Sequence, residues 1–321
     1  MLVYPAISAS DSAPPLTLDL PLACTLGSDC WVINYFDSDP GPGAADFACG
    51  PRTYDDHKGT DFGLLDRRAM AAGVAVLAAA DGTVATLRDG MPDSGLETPA
   101  DILAGRDCGN GVMIEHGDGW STQYCHMRMG SISVVEGQTV ARGESLGLVG
   151  MSGRAEFPHL HITLRQAETV LDPFTGLPQG SSCDERGTPV WSADTGLSYR
   201  PFVLQSIGFA SAPVERSALQ QSASSPKNLP RDGEALVLWA QVYGVQDGDR
   251  LSLRIEGPGG RVLTDETVEL SKTQAYRMAF AGRRTPENGW PAGSYRGTVR
   301  MARPGANGPA EASRMIEVEL R

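Results

Sequence analysis

Four of the five histidines in this 321-residue chain fall in three short patterns whose residue types suit a catalytic metal. "DHKGTDF" carries His57 and Asp61, "YCHM" carries His126, and "HLH" carries His159 and His161. Side chains alternate along an extended strand, so residues two or four apart share a face. His57 and Asp61 then point the same way, with Gly59 leaving space above the backbone between them. His159 and His161 likewise share a face, with Leu160 turned to the other. A helix would also align residues four apart, but Gly59, Gly63 and the polar run around them oppose one. Two imidazoles and a carboxylate fill three tetrahedral positions on Zn2+ and leave the fourth for water, as in catalytic zinc. Such a metal lowers the pKa of its water to about 7, which points to hydrolysis. Spacing does not choose between His159 and His161 as the ligand. The packing reading, in which a lone histidine in a β-protein is a hydrogen-bonded surface or core residue, explains each motif singly but not the set.

The segments that must position these residues read as short strands separated by glycine turns: "GVAVLAAADGTVATL", "GNGVMIEHGDGWSTQYCHM", "ISVVEGQTVARGESLGLVG" and "HLHITLR". No long amphipathic helix divides them, which predicts an antiparallel all-β domain ending near residues 170–174. Asp118 and Gly119 give a hairpin turn. In a regular hairpin Cys125 faces Val112, so pairing of Cys108 with Cys125 requires the chain to fold back at Gly109. His116, beside that turn, completes no ligand pattern and reads as structural. Tyr124 shares a strand face with His126 in that reading, where it either lines the groove or packs on the sheet.

Residues 1–50, rich in Pro, Gly and Asp, predict an irregular cysteine-containing arm, and residues 176–234, with clusters such as "QQSASSPKNLPRDG", predict a linker or irregular segment. From 235 to 321 six further alternating segments, among them "DRLSLRIEGPGG" and "GSYRGTVRM", predict a separate β-sandwich that holds no His or Cys. Its Trp239, Tyr243, Trp290 and Tyr295 read as core residues before they read as a binding strip.

Six cysteines, all within the first 183 residues and none in a CxxC pair, suit a disulfide set formed in an oxidising compartment. The net charge of −12 argues against nucleic acid or an anionic membrane as partner. No run reaches the roughly 20 apolar residues of a membrane span, and the opening "MLVYPAISASDSAPP" lacks the features of a signal peptide.

Taken in order, "HKGTD", "GVAVLAAADGTV", "GNGVMIEHGDGWSTQYCHM", "VVEGQTVARGESLGLVG" and "PHLHITL" resemble the LytM or lysostaphin-type zinc metallopeptidases, family M23, over residues 57–174. The resemblance implies a β-sheet groove in a peptidase domain spanning about 51–175; the sandwich beyond it reads, from its own strand pattern, as immunoglobulin-like or fibronectin III-like. It implies zinc as cofactor, His57, Asp61 and His161 as its ligands, and His126 and His159 acting on the water and the developing oxyanion. The loop before HxH departs from the family pattern: Ala155, Glu156 and Phe157 replace a small polar run and Thr163 replaces a Glu, which bears on the rim of the substrate groove.

The activity this implies is cleavage of peptide bonds in the stems or cross-links of bacterial peptidoglycan, by an exported and most simply periplasmic enzyme. Two alternatives stand beside it: a non-catalytic LytM-like activator of another wall hydrolase, and a zinc endopeptidase acting on Gly-rich proteins. The C-terminal sandwich could bind wall polymer, dock a protein partner or shield the groove. The arm before His57 could cover the groove, with Asn34, Asp37 and Asp39 as conceivable ligands to the metal.

Overall fold

The computed structural model of the chain describes residues 16–305 and 309–321. The first fifteen residues, where the opening segment was read against a signal peptide, lie outside that description.

The larger sheet follows from period-2 patterning. Its strands are β1 (Cys30–Asn34), β2 (Thr60–Leu64), β4 (Gly82–Arg88), β5 (Asn110–Gly117), β6 (Trp120–Met127), β7 (Thr139–Val140), β9 (His159–Gln166) and β10 (Thr169–Leu171), while β3 (Ala75–Leu77) pairs with β8 (Ser145–Leu148) in a small sheet of its own. The order across the larger sheet is β1-β2-β9-β6-β5-β4-β7, with β10 on β9. Leu160, Ile162 and Leu164 on β9 face one core with Phe62 and Leu64 of β2. Burying each such side chain stabilises the sheet by roughly 1.5–3 kcal/mol, and truncating one to Ala would cost about 2–5 kcal/mol. The alternate residues His159, His161 and Thr163 are thereby turned to the opposite face.

The β5–β6 hairpin turns at Asp118 and Gly119, both with positive φ, as the primed turns that match strand twist require. Its register places Val112 opposite Tyr124, not Cys125, because the pairing shifts between Glu115 and Gly117, next to the turn; a second shift between Asn110 and Val112 restores the original register. With Gly109 at φ +66° the chain folds back, and Cys108 bonds to Cys125. The other disulfides join Cys24 to Cys30 and Cys49 to Cys183.

The second core lies between a three-stranded sheet and a five-stranded one. The first has the order β11-β13-β16, with β11 Val203–Ala210, β13 Ala235–Val245 and β16 Gln274–Arg284. The second has the order β12-β18-β17-β14-β15, with β12 Asn228–Leu229, β14 Arg250–Glu256, β15 Val262–Glu269, β17 Gly293–Arg303 and β18 Ala310–Leu320. Leu251, Leu253 and Ile255 point inward as their alternation predicts, and Trp239, Trp290 and Tyr295 are buried. Helices among the described residues are short: α1 (Arg67–Ala72), α2 (Ala100–Leu103) and α3 (Arg216–Gln221).

Two segments expected to be irregular contribute to these sheets. Residues 203–210 form β11, which pairs with β13 over its length. In the arm, residues 30–34 form β1, and Leu18, Leu22, Val32 and Tyr35 are buried in the first core. Arg52, also buried, donates from Nε to the Ile33 carbonyl at 3.1 Å and from Nη1 to the Arg200 carbonyl at 2.7 Å, so the arm is tied to the chain leading into the second core.

Candidate active site

One cross-strand row builds most of the site. Asn34 pairs with Asp61 between β1 and β2, Asp61 with His161 between β2 and β9, and His161 with Cys125 between β9 and β6. Directly opposed residues on one face of a sheet lie close enough to interact. His161 Nδ1 is 2.9 Å from Asp61 Oδ1 and the Asn34 amide donates to Asp61 Oδ2 at 2.8 Å. His57 comes to the same point from outside the row. It lies before β2, in the turn following Asp56, whose φ is +62°, and not on the extended strand that spacing suggested. Its Nε2 is 3.1 Å from both Asp61 Oδ1 and His161 Nδ1.

These donor atoms fit a metal ion. The His57 Nδ1–H donates to the Tyr35 carbonyl at 2.6 Å, which leaves a lone pair on Nε2. His161 Nε2 lies 2.9 Å from Thr163 Oγ1, so with its proton there Nδ1 also carries a lone pair. Two lone pairs and a carboxylate oxygen then converge, all within 4.8 Å of one another. That is a cation's environment, and two nitrogens with one oxygen suit Zn2+. Thr163, where the sequence departs from the family pattern, takes the part of orienting the far nitrogen of His161. Gly59 is needed for the approach, since a Cβ there would lie 2.6 Å from His161 Nε2 and 2.5 Å from the Ile162 carbonyl.

The other two histidines face this cluster with rings 4.5 Å apart. His126 has φ +61° and donates from Nδ1 to the Ser152 carbonyl at 2.8 Å. His159 donates from Nδ1 to the Phe157 carbonyl at 2.8 Å, and its Nε2 is 3.7 Å from Asp61 Oδ1. Both are therefore held in the tautomer that turns Nε2 inward.

Electrostatics separate the groups. Burial would raise the Asp61 carboxyl, but His57, His159 and His161 hold it well below the usual range. Burial lowers His57, yet the Asp61 carboxylate outweighs it and leaves the imidazole above its ordinary value. Burial lowers His161 further than Asp61 restores it. His126 is pushed well below its ordinary value, by burial first and then by His159 and His161, so it stays neutral.

The remaining residues singled out by sequence sort as follows. His116 hydrogen-bonds the Asp81 carbonyl and Thr122 away from the cluster, and the Tyr124 hydroxyl accepts from the Ala79 amide within the core, so Tyr124 packs on the sheet. Asp37 accepts from the Asp39, Ala45 and Asp56 amides and Asp39 from the Gly41 amide, which engages both in turns. Glu156 is exposed. Sequence reasoning missed Tyr54, whose ring lies 4.4 Å from that of His57 with half its surface exposed; an aromatic three residues before the first ligand was the available signal.

Residues 55–173 match Peptidase family M23, and this segment belongs to that family. The Vibrio cholerae peptidoglycan DD-endopeptidase ShyA is 37% identical over 108 residues, which are 34% of this chain and 20% of that one. The Caulobacter vibrioides cell division protein DipM is 37% identical over 100 residues, 31% of this chain and 14% of that one. The chain thus spans a fifth or less of the length of these two curated relatives. Among solved structures, a zinc-containing peptidase from Vibrio cholerae has 26% identity and a TM-score of 0.29, over 44% of this chain and 39% of that one.

Proposed function

We propose that this protein is a zinc endopeptidase that hydrolyses peptide bonds in the stems or cross-links of bacterial peptidoglycan. The observation that carries the reading is the convergence of His57 Nε2, Asp61 Oδ1 and His161 Nδ1 on one point, with His126 and His159 facing it. The similarity to ShyA, a peptidoglycan DD-endopeptidase, supports the substrate class.

In this reading His57, Asp61 and His161 hold the zinc, which when bound supplies a Lewis acid that activates water and polarises the scissile carbonyl. His126, neutral and with its Nδ1–H fixed on Ser152, presents a lone pair at Nε2. It accepts the proton of the attacking water and returns it to the leaving amine. His159, nearer the ligand set, stabilises the carbonyl oxygen as charge develops there by donating from Nε2 in the form that carries a proton on both ring nitrogens. Asn34 keeps the Asp61 carboxylate in the orientation that shows Oδ1 to both ligand imidazoles. The three disulfides support export to an oxidising compartment, and a periplasm is the location proposed. No helix among the described residues is long and apolar enough to cross a membrane.

The test is incubation of the zinc-loaded protein with purified sacculi beside the His126→Ala variant, with released fragments identified by mass spectrometry. Fragments cut within the peptide, missing from the variant, are expected. Intact sacculi together with cleavage of a Gly-rich protein would move the substrate outside the wall. Neither cleavage, at stoichiometric zinc, would leave a non-catalytic module.

A further inference from the structure

The loop preceding β9 carries both carbonyls that fix the inward-facing histidines: Ser152 for His126 and Phe157 for His159. Phe157 of this loop also meets the three-stranded sheet β11-β13-β16. One side of its ring lies 4.7 Å from the His159 ring, and Tyr243 of β13 lies 5.8 Å from it. Tyr243 is buried, and is backed by Tyr276 of β16 at 5.1 Å. With Trp31 and Ile33 of β1 and Val203 of β11 it forms a small apolar cluster separate from the two main cores, against which Phe157 packs. Gly63 beneath leaves room for the ring, since a Cβ there would come within 3.2 Å of it.

We infer that Tyr243 of the sandwich is a positioning residue for the peptidase site, seating Phe157 so that its carbonyl holds the Nδ1–H of His159. The inference rests on the proposed peptidase reading for its kinetic consequence, but the positional claim is measurable without turnover. Tyr243 touches none of the ligands His57, Asp61 and His161, so its loss leaves zinc in place. A displacement of about 1 Å at a reacting group can cost on the order of 10²-fold in rate.

The experiment uses the full zinc-loaded chain with Tyr243→Ala, Tyr243→Leu, Tyr243→Phe and, as a destabilised control in the sandwich core, Leu251→Ala. Tyr243→Ala and Tyr243→Leu are expected to keep stoichiometric zinc and lose kcat by roughly 10- to 10²-fold with KM within about twofold, while Tyr243→Phe restores it. Leu251→Ala is expected to lower Tm and keep kcat. In parallel, the imidazole Nδ1–H of His159, identified in the NMR spectrum by its loss in His159→Gln, should exchange faster with solvent in Tyr243→Leu than in wild type. Unchanged exchange and unchanged kcat in Tyr243→Leu would make Tyr243 a packing residue and overturn the inference. If wild type cleaves no peptide, the peptidase reading fails and the exchange measurement alone decides the positional claim.

Discussion

The side-chain amide of Asn34 donates to Oδ2 of Asp61 at 2.8 Å, while Oδ1 of the same carboxylate faces His57 and His161. A carboxylate with one oxygen occupied this way cannot rotate without breaking a hydrogen bond. Removing the amide in Asn34→Ala should weaken zinc binding by about 10- to 100-fold, the usual effect of losing an outer partner of a metal ligand. Competition against a chromogenic chelator measures it, and an unchanged affinity would reduce Asn34 to a strand residue.

Gly59→Ala tests the close approach of two backbone segments while leaving every proposed ligand in the chain. The added methyl would overlap His161 Nε2 and the Ile162 carbonyl. Bound zinc, counted per protein molecule, should fall well below one at concentrations that saturate wild type. Full occupancy would mean that the turn before β2 yields instead.

Ligands and proton-transfer groups should separate cleanly. His57→Ala or Asp61→Ala should lose zinc and activity together. His126→Ala should keep zinc and lose roughly 10²- to 10⁴-fold in kcat. A His126→Ala enzyme with wild-type turnover would remove that residue from proton transfer.

Asp172 gives a pH prediction far from the chemistry. Its carboxyl is buried and accepts from the Phe174 amide and the Thr175 hydroxyl, yet burial pushes its pKa up from 3.8 to about 7. The folded state therefore holds this proton more tightly than the unfolded chain does. Its contribution to stability is fully present below about pH 4, declines as pH rises, and is lost by about pH 7, where the folded carboxyl also ionises. Asp172→Asn removes the titration, so its Tm relative to wild type should rise between pH 4 and pH 7 and level off above. A difference that stays flat with pH would refute the assignment.

The cluster was legible in sequence because the residue types that suit a metal are few: "HKGTD", "YCHM" and "HLH" contain every histidine that the fold gathers there. What those motifs could not convey was reach. Asn34 meets Asp61 only because β1 pairs with β2, and a Pro- and Gly-rich arm gives little periodic signal of that pairing. His126 leaves the strand face of Tyr124 through a positive φ, which no spacing rule on an extended chain anticipates. Strand β11 escaped because Val203–Phe209 is buried on both faces, so its sequence does not alternate. The six strands from β13 to β18 were readable because several, β14 among them, alternate regularly between core and solvent.

The place of β1 also bears on how the protein can be dissected. The family match begins at residue 55, but the carbonyl holding His57 belongs to Tyr35, the amide holding Asp61 belongs to Asn34, and the guanidinium that fastens both to the rest of the molecule belongs to Arg52. A fragment trimmed to the matched boundary would turn β2 into a bare sheet edge beside the cluster of His57, Asp61 and His161, open to pairing with a second molecule. The smallest fragment that keeps this cluster intact therefore begins upstream of the matched segment.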